Sequence, residues 1–261
     1  MLLVVFATWF GLLVGSPVYA EDLSLPAPKG IPVIQILCES RLVPVVEDIA
    51  GHLRAEGKVD VRITPGTTTS LLKRLAKEAE TTDAILFEGQ EALKLLIKSS
   101  IVEAKKALPL ASDQLVLAVR SGSDAAKDPM NTLRDPANKN LVMCRVDDTL
   151  CGIHAQAALK KLGIWEDVSR KAKWVGSSHE AVREVAEGRA DIAIAYRSEL
   201  AAFQFMQAGF TFPSRSYLPL VYFGAPLSHA PNKISAQSFL RFLTSQESAS
   251  VWTRRGFQPP P

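Results

Sequence analysis

Residues 140–163 read NLVMCRVDDTLCGIHAQAALKKLG, and this stretch limits the fold of the chain more tightly than any other. An apolar run, Leu141 to Cys144, stops at Arg145 and gives way to a polar turn. The pattern restarts at Cys151-Gly152 with Ala155, Ala158, Leu159 and Leu162 on one helical face. That is a strand, a tight loop and a helix start. The first amides of a helix lack intrahelical partners and carry the positive end of its dipole, so such a loop is a ready receptor for an anion.

The same unit recurs. Val33 to Cys38 reads as a buried strand, and Ser40 opens a helix carrying Val46, Ile49, Ala50 and Leu53, ended by Gly57. Pro44 fits only in its first turn, where a missing amide costs nothing. Val59 to Ile63 predicts the next strand, and after Pro65-Gly66-Thr67-Thr68-Thr69 a second helix presents Leu71, Leu72, Leu75 and Ala76. A strand at Asp83 to Phe87, a helix at Gln90 to Lys98 and a strand at Gln114 to Arg120 follow. Such alternation means mostly parallel sheet covered on both faces. The polar, Pro-punctuated stretch 121–139 predicts a change of lobe. Beyond it come strand 141–144, helix 152–162, strand 172–175, helix 178–187, strand 191–195 and helix 197–208. Ser177 to Glu180 has the spacing of a capping box. Leu218 to Phe223 is apolar enough to cross back, and helices at Ala236 to Leu243 and Gln246 to Arg254 close the first lobe. The resulting division is 31–120 with 221–261 as lobe I and 121–220 as lobe II. Phe87 and Trp174 read as core.

The first 20 residues contain an apolar run, Leu2 to Val14, and end in Val18-Tyr19-Ala20, small residues of the kind a signal peptidase reads. Residues 1–20 are therefore expected to be a signal peptide and the Pro-rich 21–30 a leader, which places the mature chain outside the cytoplasm. Lys and Arg number 30 against 27 Asp and Glu, a formal charge of +3, and the charges are dispersed without basic runs. Nucleic acid is not suggested as a partner. Three cysteines, Cys38, Cys144 and Cys151, cannot build a disulfide framework. At most one bridge and one thiol result. Cys144 and Cys151 are the nearest pair, with Cys38 placed to compete.

Ligands of open parallel sheets bind beyond the carboxyl ends of the strands, and those of two-lobed proteins between the lobes. Four loops meet that description: Glu39 to Leu42, Gly66 to Thr69, Thr149 to Gly152 and Gly176 to His179. Each alone is an ordinary cap. It is in CGIHAQAALKKLGIW (151–165), AVREVAEGRADIAIAYRSE (181–199), PGTTTSLLKRL (65–75), TDAILFEGQ (82–90) and SFLRFLTSQESASVWTRRGF (238–257) that the chain resembles the periplasmic molybdate-binding proteins of ATP-driven uptake systems. The resemblance runs from about Pro32 to Phe257. It implies a two-lobed type II periplasmic binding protein, each lobe an α/β sheet flanked by helices. The lobes close over a tetrahedral oxyanion, molybdate or tungstate, held by neutral donors. It also implies a monomer that delivers its cargo to an inner-membrane ABC permease and is not an enzyme. Carried over by position, the donors are Ser40 or, without a gap, Arg41; Thr67 to Thr69, with Thr68 and Thr69 foremost; Cys151; Ser178; and Tyr196. The bland reading of Tyr196 is a core aromatic whose hydroxyl meets a carbonyl.

Arg41 and Arg145 depart from that family's pattern, since such cages work with amide and hydroxyl dipoles. Either they pair at the rim with Glu39, Glu88 or Asp147, or they line the cleft. A lining Arg would favour an organic acid or a phosphate-like anion. A rival constellation is a soft-metal or redox set of Cys38, Cys144, Cys151 and His154, set against a Cys144–Cys151 disulfide or three small buried residues. A catalytic Cys151–His154 pair is a further rival, lacking an evident orienting Asn or Asp.

Overall fold

The computed structural model describes residues 30–138, 140–147 and 149–260. The expected signal peptide and nearly all of the leader lie outside the described residues. In chain order the first elements are β1 (Val33–Glu39), α1 (Val43–Ala55), β2 (Asp60–Gly66), α2 (Thr68–Glu78), β3 (Ala84–Glu88), α3 (Gln90–Lys98), β4 (Leu108–Ser112) and β5 (Leu115–Arg120). There follow α4 (Asp124–Lys127), α5 (Pro129–Arg134), β6 (Leu141–Cys144), α6 (Leu150–Lys161), α7 (Trp165–Ser169), β7 (Ala172–Val175), α8 (Ser178–Ala186) and β8 (Ile192–Tyr196). The chain ends with β9 (Met206–Thr211), β10 (Val221–Pro226), α9 (Lys233–Leu243) and α10 (Gln246–Arg254).

Two five-stranded sheets organise these elements, in the orders β2-β1-β3-β10-β4 and β7-β6-β8-β5-β9. In each, four strands run in one direction, three of them paired parallel, and one strand from the opposite part of the chain, β10 or β5, runs against both its neighbours. Both faces of each sheet are covered. In β1, Ile34, Ile36 and Cys38 join the core under α1, α9 and α10, while Leu37 joins the opposite core with Leu71, Leu75 and Phe87. The second sheet divides likewise, with Leu117, Met143 and Ile194 on one side and Val116, Val142 and Ala193 on the other. A strand buried on both faces needs a continuous apolar run, which is why β3 (AILFE) and β8 (IAIAY) are buried at every position.

Several expectations need correction. Residues 115–120 belong to the second sheet, because β5 bonds to β8 and β9. The lobes therefore change at Asp113-Gln114 rather than within 121–139. Residues 197–208 are not a helix: a 3-10 turn, Arg197–Ala202, precedes β9. The periodicity of ELAAFQFMQA is ambiguous, and the open edge of β5 decides it. Ser40 begins a 3-10 turn, Ser40–Leu42, and α1 proper starts at Val43 with Pro44 in its first turn. Strand β4 went unread. Trp174 is 38% exposed on the edge strand β7, edge-on to Trp165, and is not core.

Asp113 sits at the crossing. Its Oδ1 accepts from Gln114 N–H (2.7 Å) and Ser198 N–H (3.2 Å), and its Oδ2 from Ser198 Oγ (2.5 Å). Burial outweighs these bonds and pushes the carboxyl up to about 6. A carboxyl raised from about 3.9 in the unfolded chain is most favourable to folding below that value, and its contribution is lost as pH rises through about 6. Stability is therefore expected to fall by about 2 to 3 kcal/mol between pH 4 and pH 7 through this group alone. Asp113→Asn, which can still accept from both amides and donate to Ser198, should flatten that slope in urea titrations run at several pH values. An unchanged slope would remove Asp113 as its source.

Candidate functional site

Each cleft loop is built by a local rule. Thr67 caps α2, its Oγ1 accepting from Ser70 N–H at 3.2 Å. Thr149 caps α6 through Gly152 N–H (3.0 Å) and donates to Arg145 O (2.5 Å). Ser177 caps α8 through Glu180 N–H (3.1 Å), but the capping box is displaced by one residue, since the Glu180 carboxylate accepts from Gly176 N–H (2.9 Å). Gly152 is required sterically: a Cβ there would stand 2.1 Å from the Arg145 carbonyl oxygen.

These loops converge. Ser40, Arg41, Thr68, Thr69, Cys151, Ser178 and Tyr196 all line one cleft of about 790 Å³ between the lobes. Arg145 is not among the residues lining it, but its guanidinium lies against one that is, Gly176, with Nη2 3.1 Å from the position of a Cβ there.

The floor of the cleft is ionic. Arg41 Nη2 is 2.5 Å from Glu88 Oε2 and 3.8 Å from Glu39 Oε1, and the Arg41 side chain is only 15% exposed. Arg41 thus makes the expected pairing with Glu88 and Glu39, yet within the cleft lining rather than at its rim. The guanidinium lies 4.2 Å from the Tyr196 ring centre, across the lobe boundary, and 5.6 Å from that of Tyr222. Burial works against its charge, but Glu88, Tyr222, Tyr196 and Glu39 more than offset this and hold it firmly cationic. Arg41 Nη1 and Tyr222 Oη find no hydrogen-bond partner among the described residues.

The Glu39 carboxylate does what an external anion would do. Its Oε2 accepts from Thr68 N–H and from Thr68 Oγ1, both at 2.6 Å, at the start of α2. Thr68 Oγ1 in turn accepts from Glu88 N–H (3.0 Å), which ties the ends of β1, α2 and β3 together. Burial raises the Glu39 carboxyl, with Arg41 and Thr68 opposing the shift.

On the lobe II side, Tyr196 is wholly buried. Its N–H donates to Ser178 Oγ (2.9 Å), and its hydroxyl meets His154 Nδ1 (2.9 Å) and Glu88 Oε1 (3.5 Å). The hydroxyl thus bridges the lobes instead of meeting a carbonyl. Burial, aided by Arg41, lowers His154 to about 4, so the imidazole is neutral at physiological pH.

The cysteines do not form a metal set. Cys144 and Cys151 are joined as a disulfide with Cα atoms 5.8 Å apart, and Cys38 is a buried thiol in the lobe I core. Among the described residues no group of His, Cys, Asp or Glu is arranged to hold a metal ion. With its thiol engaged, Cys151 cannot serve as a nucleophile, and the His154 ring packs between Tyr196 and Tyr217. Sequence reasoning missed Tyr222 and Asp113. Tyr222 hides in an apolar run; Asp113, a lone acid between two strands, was a signal that could have been used.

The family model of the bacterial extracellular solute-binding proteins matches residues 34–258. The chain belongs to this family. It is 23% identical over 254 residues to the molybdate-binding protein ModA of Escherichia coli K12, covering 95% of this chain and 97% of that one. The periplasmic molybdate-binding protein of Azotobacter vinelandii superposes with a TM-score of 0.73 at 15% identity, over 87% of this chain and all of the other. The sulfate-binding protein SubI of Mycobacterium tuberculosis H37Rv superposes at 0.68 with 18% identity, over 87% of each chain. The two-lobed α/β architecture of this solute-binding protein is thus that of periplasmic binding proteins, and its relatives are substrate-binding proteins of transporters rather than enzymes.

Proposed function

We propose that this solute-binding protein is exported to the periplasm, captures a small tetrahedral oxyanion, molybdate or tungstate, and delivers it as a monomer to an inner-membrane ABC permease. One observation carries the reading: the start of α2 already seats a carboxylate on two 2.6 Å bonds, and the starts of α6 and α8 line the same cleft from the other lobe. Helix starts from both lobes can replace the water around a small anion, and closure of the lobes gives the permease a form to recognise. The molybdate-binding relatives point to the same cargo.

Calorimetric titration of the mature chain with molybdate, tungstate, sulfate and phosphate tests this. Heat with tungstate and none with sulfate is expected; sulfate binding at equal strength would refute the cargo. Tyr196→Phe should weaken tungstate binding by about 1 to 3 kcal/mol, the cost of a lost buried donor. Unchanged affinity would take that hydroxyl out of the cage.

Two observations favour a second reading, an organic acid or phosphate-like anion read by Arg41. The Arg41 Nη1 donor lacks a partner among the described residues, and the cleft is large. Heat with small carboxylates or phosphate alone would select this reading.

A further inference from the structure

An oxyanion that uses the α2 start meets a prior occupant. The Thr68 N–H and Oγ1 both point at Glu39 Oε2, and Glu39 is 5% exposed. We propose that the Glu39 carboxylate is a built-in competitor for the oxyanion: it holds the α2 seat, must leave it before cargo enters, and so decides at which pH the cleft accepts an anion. This rests on the oxyanion reading above and adds to it a residue that tunes specificity.

Three features of the floor make the exchange workable. Glu39 lies 3.8 Å from the Arg41 guanidinium, whose charge Glu88 already neutralises at 2.5 Å and whose Nη1 has no partner among the described residues, so a Glu39 carboxyl that leaves Thr68 finds a donor nearby but no unmatched charge to keep it ionised. Glu39 cannot stay ionised on Thr68 beside a bound dianion, because the two would share one pair of donors and repel at contact distance. Protonation resolves the conflict, and burial of Glu39 favours it. The charged and titratable groups around Glu39 are Arg41 on its own turn, Glu88 at the end of β3, the adjacent Cys38 thiol, and Lys73 one turn into α2. From lobe II come Tyr196, the neutral His154 behind it, and the His179–Glu199 pair at the rim. Of these side chains, that of Glu39 is the one bonded to the α2 start among the described residues, Glu88 reaching Thr68 through its backbone N–H. A cage of neutral donors would bind a dianion evenly across neutral pH; a cage with its own carboxylate in one seat binds it with proton uptake.

The test is tungstate titration of the wild type, Glu39→Ala and Glu39→Gln at pH 5.5 and 7.5, with thermal melts to verify folding. Linkage of one proton changes affinity by up to about tenfold per pH unit, so the wild type should bind at least about tenfold tighter at pH 5.5. Glu39→Ala should bind about tenfold tighter than the wild type at pH 7.5 and show little pH dependence; Glu39→Gln should also lose the pH dependence. Should neither variant fold, the wild type still decides: titrations in buffers of different ionisation enthalpy should report about one proton taken up per tungstate at pH 7.5. Wild-type binding without proton uptake, or folded Glu39→Ala binding no tighter than the wild type, overturns the proposal and leaves the oxyanion reading standing. Silence of wild type and variants towards every oxyanion at both pH values overturns both.

Discussion

Arg41→Ala is expected to destabilise the protein by about 4 kcal/mol, because it strands two buried carboxylates. Glu88 and Glu39 have side-chain exposures of 2% and 6%, and Arg41 is the cation both of them face. Removing one partner of a buried ionic group costs more than the pair itself contributes, since the remaining charge is left in a poorly polarisable surrounding. The stacking of the guanidinium on Tyr196 across the lobe boundary is lost as well. Urea unfolding at pH 7.5 measures this directly. The sign of its pH dependence is fixed: Arg41 opposes the burial that raises the Glu39 carboxyl, so without it that carboxyl rises further in the folded state, and the deficit is largest at neutral pH and shrinks as pH falls towards about 4.3, the ordinary Glu value. Arg41→Met combined with Glu88→Gln keeps the stem volume and removes both charges of the 2.5 Å pair, leaving one stranded carboxylate instead of two, and should recover a good part of the loss. If Arg41→Ala alone unfolds at the wild-type urea concentration, the floor of the cleft is not held by this cation.

Gly152→Ala is the second large effect, expected at about 3 kcal/mol or more. A Cβ at this position would lie 2.1 Å from the Arg145 carbonyl oxygen and 2.8 Å from that of Cys144, both backbone atoms that cannot swing aside. The β6–α6 loop must open to admit it, and the α6 start with Cys151 would withdraw from the cleft. On the oxyanion reading proposed above, tungstate affinity should fall together with stability. Gly51→Ala is the matched control: Gly51 lies in α1 with nothing within 4 Å of its Cβ position, so Ala should stabilise there by about 0.5 to 1 kcal/mol. Equal effects at the two glycines would refute the close approach at Gly152.

The sequence by itself determined the strand–loop–helix units and their cleft ends. The run at β3, the heptad-like spacing of Leu71, Leu72 and Leu75, the Pro at the start of α1 and the Ser and Thr caps are local signals, written in a window shorter than the element they specify. The helix-start residues of both lobes reached one cavity because every parallel unit sends its loop to the same edge of its sheet. Only tertiary structure decided the rest. Whether 115–120 serves the first sheet or the second depends on which strand edge is open, and that edge lies more than 70 residues away at β8. The free edge of β5 in turn made part of an apparent helix into β9. The roles of Glu39 and Arg41 were beyond local reading for a similar reason. A carboxylate can seat on α2 and a guanidinium on Glu88 and Tyr196 only when β1, β3 and β8 bring their ends together, and electrostatic partners are chosen by distance in space rather than along the chain.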